Sequence, residues 1–112
     1  MKTETPKQYA IGTGATEIMW TDRMPYEVIG YRGKHGLVLR AMSATLSPNW
    51  KPEVAVGGFS GHTINNHTQK WDISSNPDGE IVTVRFTKRG YWASGTRRFS
   101  IGTAVRFHDY NF

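Results

Sequence analysis

Between Ile81 and Phe112 the chain sets Arg85, Lys88, Arg89, Arg97, Arg98 and Arg106 among Phe86, Tyr91, Trp92, Phe99, Phe107, Tyr110 and Phe112. One acid, Asp109, stands against those six cations, so this third carries +5, the whole formal net charge of the 112-residue chain. The first 80 residues hold eight basic and eight acidic side chains and balance. Cations interleaved with rings suit a ligand that bears phosphate and flat bases, because the charges neutralise phosphate and the rings stack. The same composition also describes a short strand-rich core with solvated charged faces.

The sharpest grouping is Arg85–Trp92. Arg85, Lys88 and Arg89 are expected near a hairpin tip, where phosphate oxygens can be held without desolvating a whole site. Tyr91 or Trp92 then offers a face for a base. Arg97 and Arg98 lie on the strand that follows and are expected beside this hairpin. The competing reading puts Phe86 and Trp92 in the core and leaves the cations as a solvated face.

Four other residues are secondary candidates. Arg23, after Asp22 and before Pro25, either reaches an anion or answers a local acid within a turn. His62 and His67 bound a polar loop, His62-Thr-Ile-Asn-Asn-His67, that either holds a polar ligand or is simply solvated. Their spacing matches no metal-ligand signature, so no metal and no cofactor are expected. Trp50, between Pro48 and Pro52, is either a contact residue or a lid folded onto the core. Trp20 and Trp71 occupy strand-like positions and are expected in the core. Gly12-x-Gly14 lacks the strand–loop–helix context of a phosphate loop. No nucleophile motif or carboxylate pair stands out, so the chain does not read as an enzyme.

Short strands must position these residues. Ala15–Trp20 is rich in strand formers and ends at Thr21–Pro25, a turn. Tyr26–Met42 reads as a hairpin around Arg32-Gly-Lys-His-Gly36. Leu46–Pro52 is a loop, Glu53–Val56 a short strand and Gly57–Gly61 irregular. Thr68–Ile73 is extended and ends at Ser74-Ser-Asn-Pro-Asp-Gly79, the strongest turn signal. From Glu80 to Thr87 the chain alternates, with Val82, Val84 and Phe86 facing a core and Thr83, Arg85 and Thr87 facing solvent. Lys88-Arg-Gly90 closes a hairpin, and a last extended stretch runs from Arg97 towards Arg106. Such spacing predicts an all-β fold, a small single-domain barrel or sandwich over residues 11–112, with residues 1–10 a flexible tail.

Ile11-Gly-Thr-Gly-Ala-Thr16, Trp20-Thr-Asp-Arg-Met-Pro-Tyr-Glu-Val-Ile29, Gln69-Lys-Trp-Asp-Ile-Ser-Ser-Asn-Pro-Asp-Gly79 and the closing Phe99-Ser-Ile-Gly-Thr-Ala-Val-Arg-Phe-His-Asp-Tyr-Asn-Phe112 together resemble small uncharacterised proteins of phages and mobile elements. The resemblance implies a compact β domain of the SH3-like kind and carries no established activity. By analogy with phage proteins of this size, it implies a role such as anti-defence.

The chain has no cysteine, which removes disulfides, thiolate zinc sites and cysteine nucleophiles. No apolar run approaches the roughly 18 residues of a membrane span, and the first residues lack a signal-peptide core. A cytoplasmic protein of the host cell is expected. The expected function is non-enzymatic binding of an anionic ligand, nucleic acid or nucleotide, with no membrane partner. The alternative is a protein-binding module, such as an inhibitor of a host defence enzyme or an accessory virion component. A free β edge would also serve a homodimer.

Overall fold

The computed structural model describes residues 5–51 and 68–108. A 3-10 turn, η1 (Pro6–Gln8), precedes eight strands: β1 (Gly14–Ile18), β2 (Arg23–Arg32), β3 (Gly36–Ala41), β4 (Ser43–Leu46), β5 (Trp71–Ser74), β6 (Ile81–Phe86), β7 (Trp92–Ser94) and β8 (Arg97–Gly102). Six of them close an antiparallel barrel in the order β1-β2-β3-β6-β7-β8, and β4 and β5 pair as a separate two-stranded sheet. The small all-β barrel expected from strand spacing is the fold.

Period-2 alternation fills the barrel. Ala15, Tyr26, Val28, Leu37, Leu39, Val82, Val84, Trp92 and Phe99 point inward and form one buried cluster. Tyr26 meets Phe99 edge-on at 5.3 Å, and Phe86 meets Trp92 at 5.5 Å. Cross-strand partners leave a sheet on the same face, which is why Ala15 opposite Tyr26 and Trp92 opposite Phe99 share the interior.

The two long hairpins form where turn chemistry allows. Gly33, at φ 63°, takes the left-handed conformation inside the β2–β3 turn, and Gly90, at φ 93°, does the same inside the β6–β7 turn. The Thr87 amide donates to the Tyr91 carbonyl at 2.8 Å, closing the second tip. In Asn76–Gly79 the Asn76 side chain accepts from the Asp78 amide at 3.0 Å, the Asx turn that its sequence announces.

Antiparallel order also sorts the turns between the barrel's two ends. Gly36 pairs with Arg85, so the β2–β3 and β6–β7 tips leave from one end. The β1–β2, β5–β6 and β7–β8 turns leave from the other. The β1–β2 wall is covered: residues after β8 run back across it, and Phe107 exchanges backbone hydrogen bonds with Arg23 at 2.9 Å. Thr16, only 5% exposed, accepts from the Val105 amide and donates to the Thr103 carbonyl. The β6–β7–β8 wall has no such cover among the described residues.

Three sequence expectations change here. Trp20 is 92% exposed, not core, because β1 ends at Ile18 and Trp20 falls in the turn that follows. From Thr5 onward the chain is docked on the barrel instead of forming a tail: Pro6 is buried and Tyr9 packs edge-on against Trp92 at 6.1 Å. Trp71 is half-buried, with the Arg106 guanidinium stacked 4.7 Å from its ring centre. The expected Glu53–Val56 strand lies outside the described residues.

Candidate functional site

Strand alternation splits the expected cations. Arg85 points outward from β6, Arg98 outward from β8, and both pair in the backbone with Ala93 of the strand between them. Two inter-strand spacings put these arginines roughly 10 Å apart across a small side chain. Lys88 and Arg89 are exposed at the adjoining tip. Tyr91 leaves that tip and lies along the open wall, where the Arg98 guanidinium carbon sits 4.0 Å from its ring centre. The Arg98 guanidinium, and after it that of Arg89, holds the Tyr91 phenol below its ordinary pKa. Ile18, Tyr91, Arg98 and Ser100 border a shallow cleft of about 270 Å³ on this wall.

Arg85, Lys88, Arg89, Tyr91 and Arg98 are thus brought onto one tip and one wall. Two of the expected site residues are not. Trp92 is 2% exposed inside the barrel, so its ring has no face for a base. Arg97, one residue before Arg98, faces the opposite side and enters the barrel mouth. There its guanidinium donates to both oxygens of Glu17 at 2.9 and 3.1 Å, and to both of Glu80 at 2.9 and 3.3 Å. The Tyr26 hydroxyl accepts from Arg97 at 2.9 Å and lies 3.1 and 3.0 Å from an oxygen of Glu17 and of Glu80. Burial, with the Glu17 charge next, pushes the Tyr26 phenol well above its ordinary range. Hydrogen bonding by Arg97 holds the Glu80 carboxyl below its own, and Glu17 and then Glu80 keep Arg97 firmly protonated. Arg97 is a plug in the core's polar end and is withdrawn from any anion strip. The signal was present in sequence: Phe99 belongs to the core, and Arg97 shares its parity.

The secondary candidates divide similarly. Arg23 donates to the carbonyls of Met19 and Asp22, both at 2.9 Å, and so wraps its own turn. Its neighbour Asp22 faces His108, 3.2 Å from the ring nitrogen Nδ1. Trp50 is 7% exposed and donates its indole N–H to Thr68 at 2.9 Å, so it is a buried residue and not a contact. His62 and His67 lie outside the described residues.

The topology brings further cations to this end from distant parts of the chain. The β2–β3 tip, next to Lys88 and Arg89, carries Arg32, Lys34 and His35, all exposed. Lys7 of η1 is exposed nearby, lining a cleft with Lys34. Among the described residues this end holds no carboxylate. Glu17, Asp22, Asp78 and Glu80 lie towards the opposite end, Asp72 is on β5, and Glu27 is tied to Arg40 at 3.2 Å midway along β2. These tip cations stand 50 residues or more from Arg85 in sequence, so only the β3–β6 pairing could have revealed the grouping.

Among the described residues no cluster of three metal-ligating side chains occurs, and no helix is long and apolar enough to cross a membrane. Comparison with family models, with curated proteins and with solved structures finds no match for this chain.

Proposed function

We propose that the protein is a non-enzymatic nucleic-acid-binding barrel that engages the phosphate backbone through its basic end, which holds no carboxylate among the described residues, and the adjoining β6–β8 wall. The observation that carries this reading is the convergence of two hairpin tips, Arg32-Gly-Lys-His35 and Lys88-Arg89, with Arg85 and Arg98 on the wall between β6 and β8. None of these arginines or lysines has a carboxylate partner among the described residues. Cations held apart from carboxylates attract phosphate without first breaking an ion pair, and an open wall suits an extended strand better than a free nucleotide. Arg98, stacked on Tyr91, presents a guanidinium plane on which a base can lie. The resemblance to phage and mobile-element proteins fits such a role in the host cytoplasm.

Binding of a labelled oligonucleotide, followed by anisotropy across a salt series, tests the proposal. Affinity is expected to fall steeply with salt, and the double variant K88A/R89A is expected to flatten the log–log slope by about 1.4–1.8, roughly 0.7–0.9 for each lost phosphate contact. A salt-independent affinity, or an unchanged slope in the variant, would refute it.

A second reading, a protein-binding module, is favoured by one observation at the opposite end. Trp20 is 92% exposed there, and its neighbour Met19 is 44% exposed. Exposed tryptophan is the residue type most enriched among anchors of protein interfaces. Partners captured from host lysate that survive nuclease and are lost with Trp20→Ala would support this reading.

A further inference from the structure

At the basic end a cleft of about 460 Å³ opens between η1 and the β2–β3 turn, lined by Thr5, Pro6, Lys7, Tyr31, Gly33 and Lys34. Its size lies within the ~300–1,000 Å³ range of small-molecule sites. The cleft exists because of a bulge. The β2–β3 ladder slips between Val28 and Gly30, so Tyr31, and not its neighbours, stands opposite the core residue Leu37. Tyr31 therefore leans over the barrel's open end on the core side of the sheet. It stops short of burial and remains 43% exposed.

Its ring is also fixed. The Tyr31 hydroxyl donates to the Tyr9 carbonyl at 2.6 Å, and Tyr9 is itself packed on Trp92. Pro6, buried at the start of η1, also lines the cleft. The cleft is thus bordered by the tethered Tyr31 ring and by Pro6, and its rim carries Lys7 and Lys34. A ring immobilised at its polar edge while part of its surface stays open loses little entropy when a flat group stacks on it. That combination is built for an aromatic heterocycle bearing phosphate.

We infer that this cleft takes one unpaired nucleobase, stacked on Tyr31 with its phosphates between Lys7 and Lys34, so that the ligand is single-stranded nucleic acid. The inference rests on the proposed nucleic-acid binding and adds strandedness to it. A base inside a duplex is stacked on its neighbours and cannot enter the cleft without being unpaired.

Anisotropy with a single strand, the matching duplex and a mononucleotide tests it, using the full chain and Tyr31→Ala. The single strand is expected to bind more tightly than the duplex, and Tyr31→Ala to weaken the strand at least about tenfold while leaving duplex binding unchanged. Tyr31→Phe keeps the ring but frees its polar edge and should fall between the wild type and Tyr31→Ala, and melting curves of both variants verify folding. Equal affinity for strand and duplex, or no effect of Tyr31→Ala in a folded protein, overturns this inference and leaves the phosphate reading standing. A mononucleotide bound as tightly as the strand overturns the strand assignment. Absence of binding to every oligonucleotide overturns both.

Discussion

At the scale of single residues, adjacent positions on one strand have opposite fates. Arg97 and Arg98 are equally basic in sequence, yet one is tied to two carboxylates at the barrel mouth and the other faces solvent. The Arg97 cluster has a pH signature at both extremes. Glu80 has a lowered folded-state pKa, so its contribution to stability is present above about pH 4.5 and is lost as pH falls through the folded value. Tyr26 has a raised one, so its contribution is complete below about pH 10 and is lost as pH rises beyond it. Tyr26→Phe should therefore blunt the alkaline loss of melting temperature, and Arg97→Ala should blunt the acid loss while lowering stability throughout. Stability falling equally with pH in wild type and variants would disprove the cluster's role. The tryptophans make a second pair. Trp92→Ala should cost about 3–5 kcal/mol in denaturant unfolding, as large-to-small core changes do, whereas Trp20→Ala should stay within about 0.5 kcal/mol.

At the scale of elements, the open wall depends on the covered one. The segment after β8 seals β1 and β2 through Thr16, and a side chain at Gly14 would collide with it, since an added Cβ would lie 2.5 Å from the Ala104 nitrogen. Gly14→Ala is expected to cost about 1–3 kcal/mol, as overpacking does. It should also speed amide exchange at Val105, whose N–H is held by Thr16. Unchanged exchange at Val105 would show that this segment is not pinned there. The β2–β3 and β6–β7 hairpins were legible as elements because glycine-bearing turns interrupt alternating strands. Trp20 was misread for a related reason: a strand-forming residue at the end of a run looks no different from one inside it, and only the β1–β2 register decides that β1 stops at Ile18.

At the scale of the molecule, the barrel separates charge by end. The basic tips gather where the described chain has no carboxylate, and the Glu17–Arg97–Glu80 plug sits towards the other end. This separation explains why the salt slope, and not the melting temperature, is the quantity that Lys88 and Arg89 should move. Both are exposed and make no ion pair among the described residues. It also makes the two ends separable in experiment, since Lys88, Arg89 and Tyr31 belong to one and Trp20 to the other.

What depends on near neighbours can be read along the chain. Period-2 alternation over Val82–Phe86, turn chemistry at Asn76–Gly79 and Lys88–Gly90, and the crowding of cations and rings after Ile81 all follow from residues within a few positions of one another. Parity could have gone further and separated Arg97 from Arg98. Tertiary structure decided what depends on pairing across long separations. Closure of the ring buried Trp92, β3 against β6 joined Arg32 and Lys34 to Lys88 and Arg89, and a one-residue bulge turned Tyr31 over the barrel end. Hydrogen-bonded register, not residue type, sets which strand ends meet, and register is not written in any single stretch of the chain.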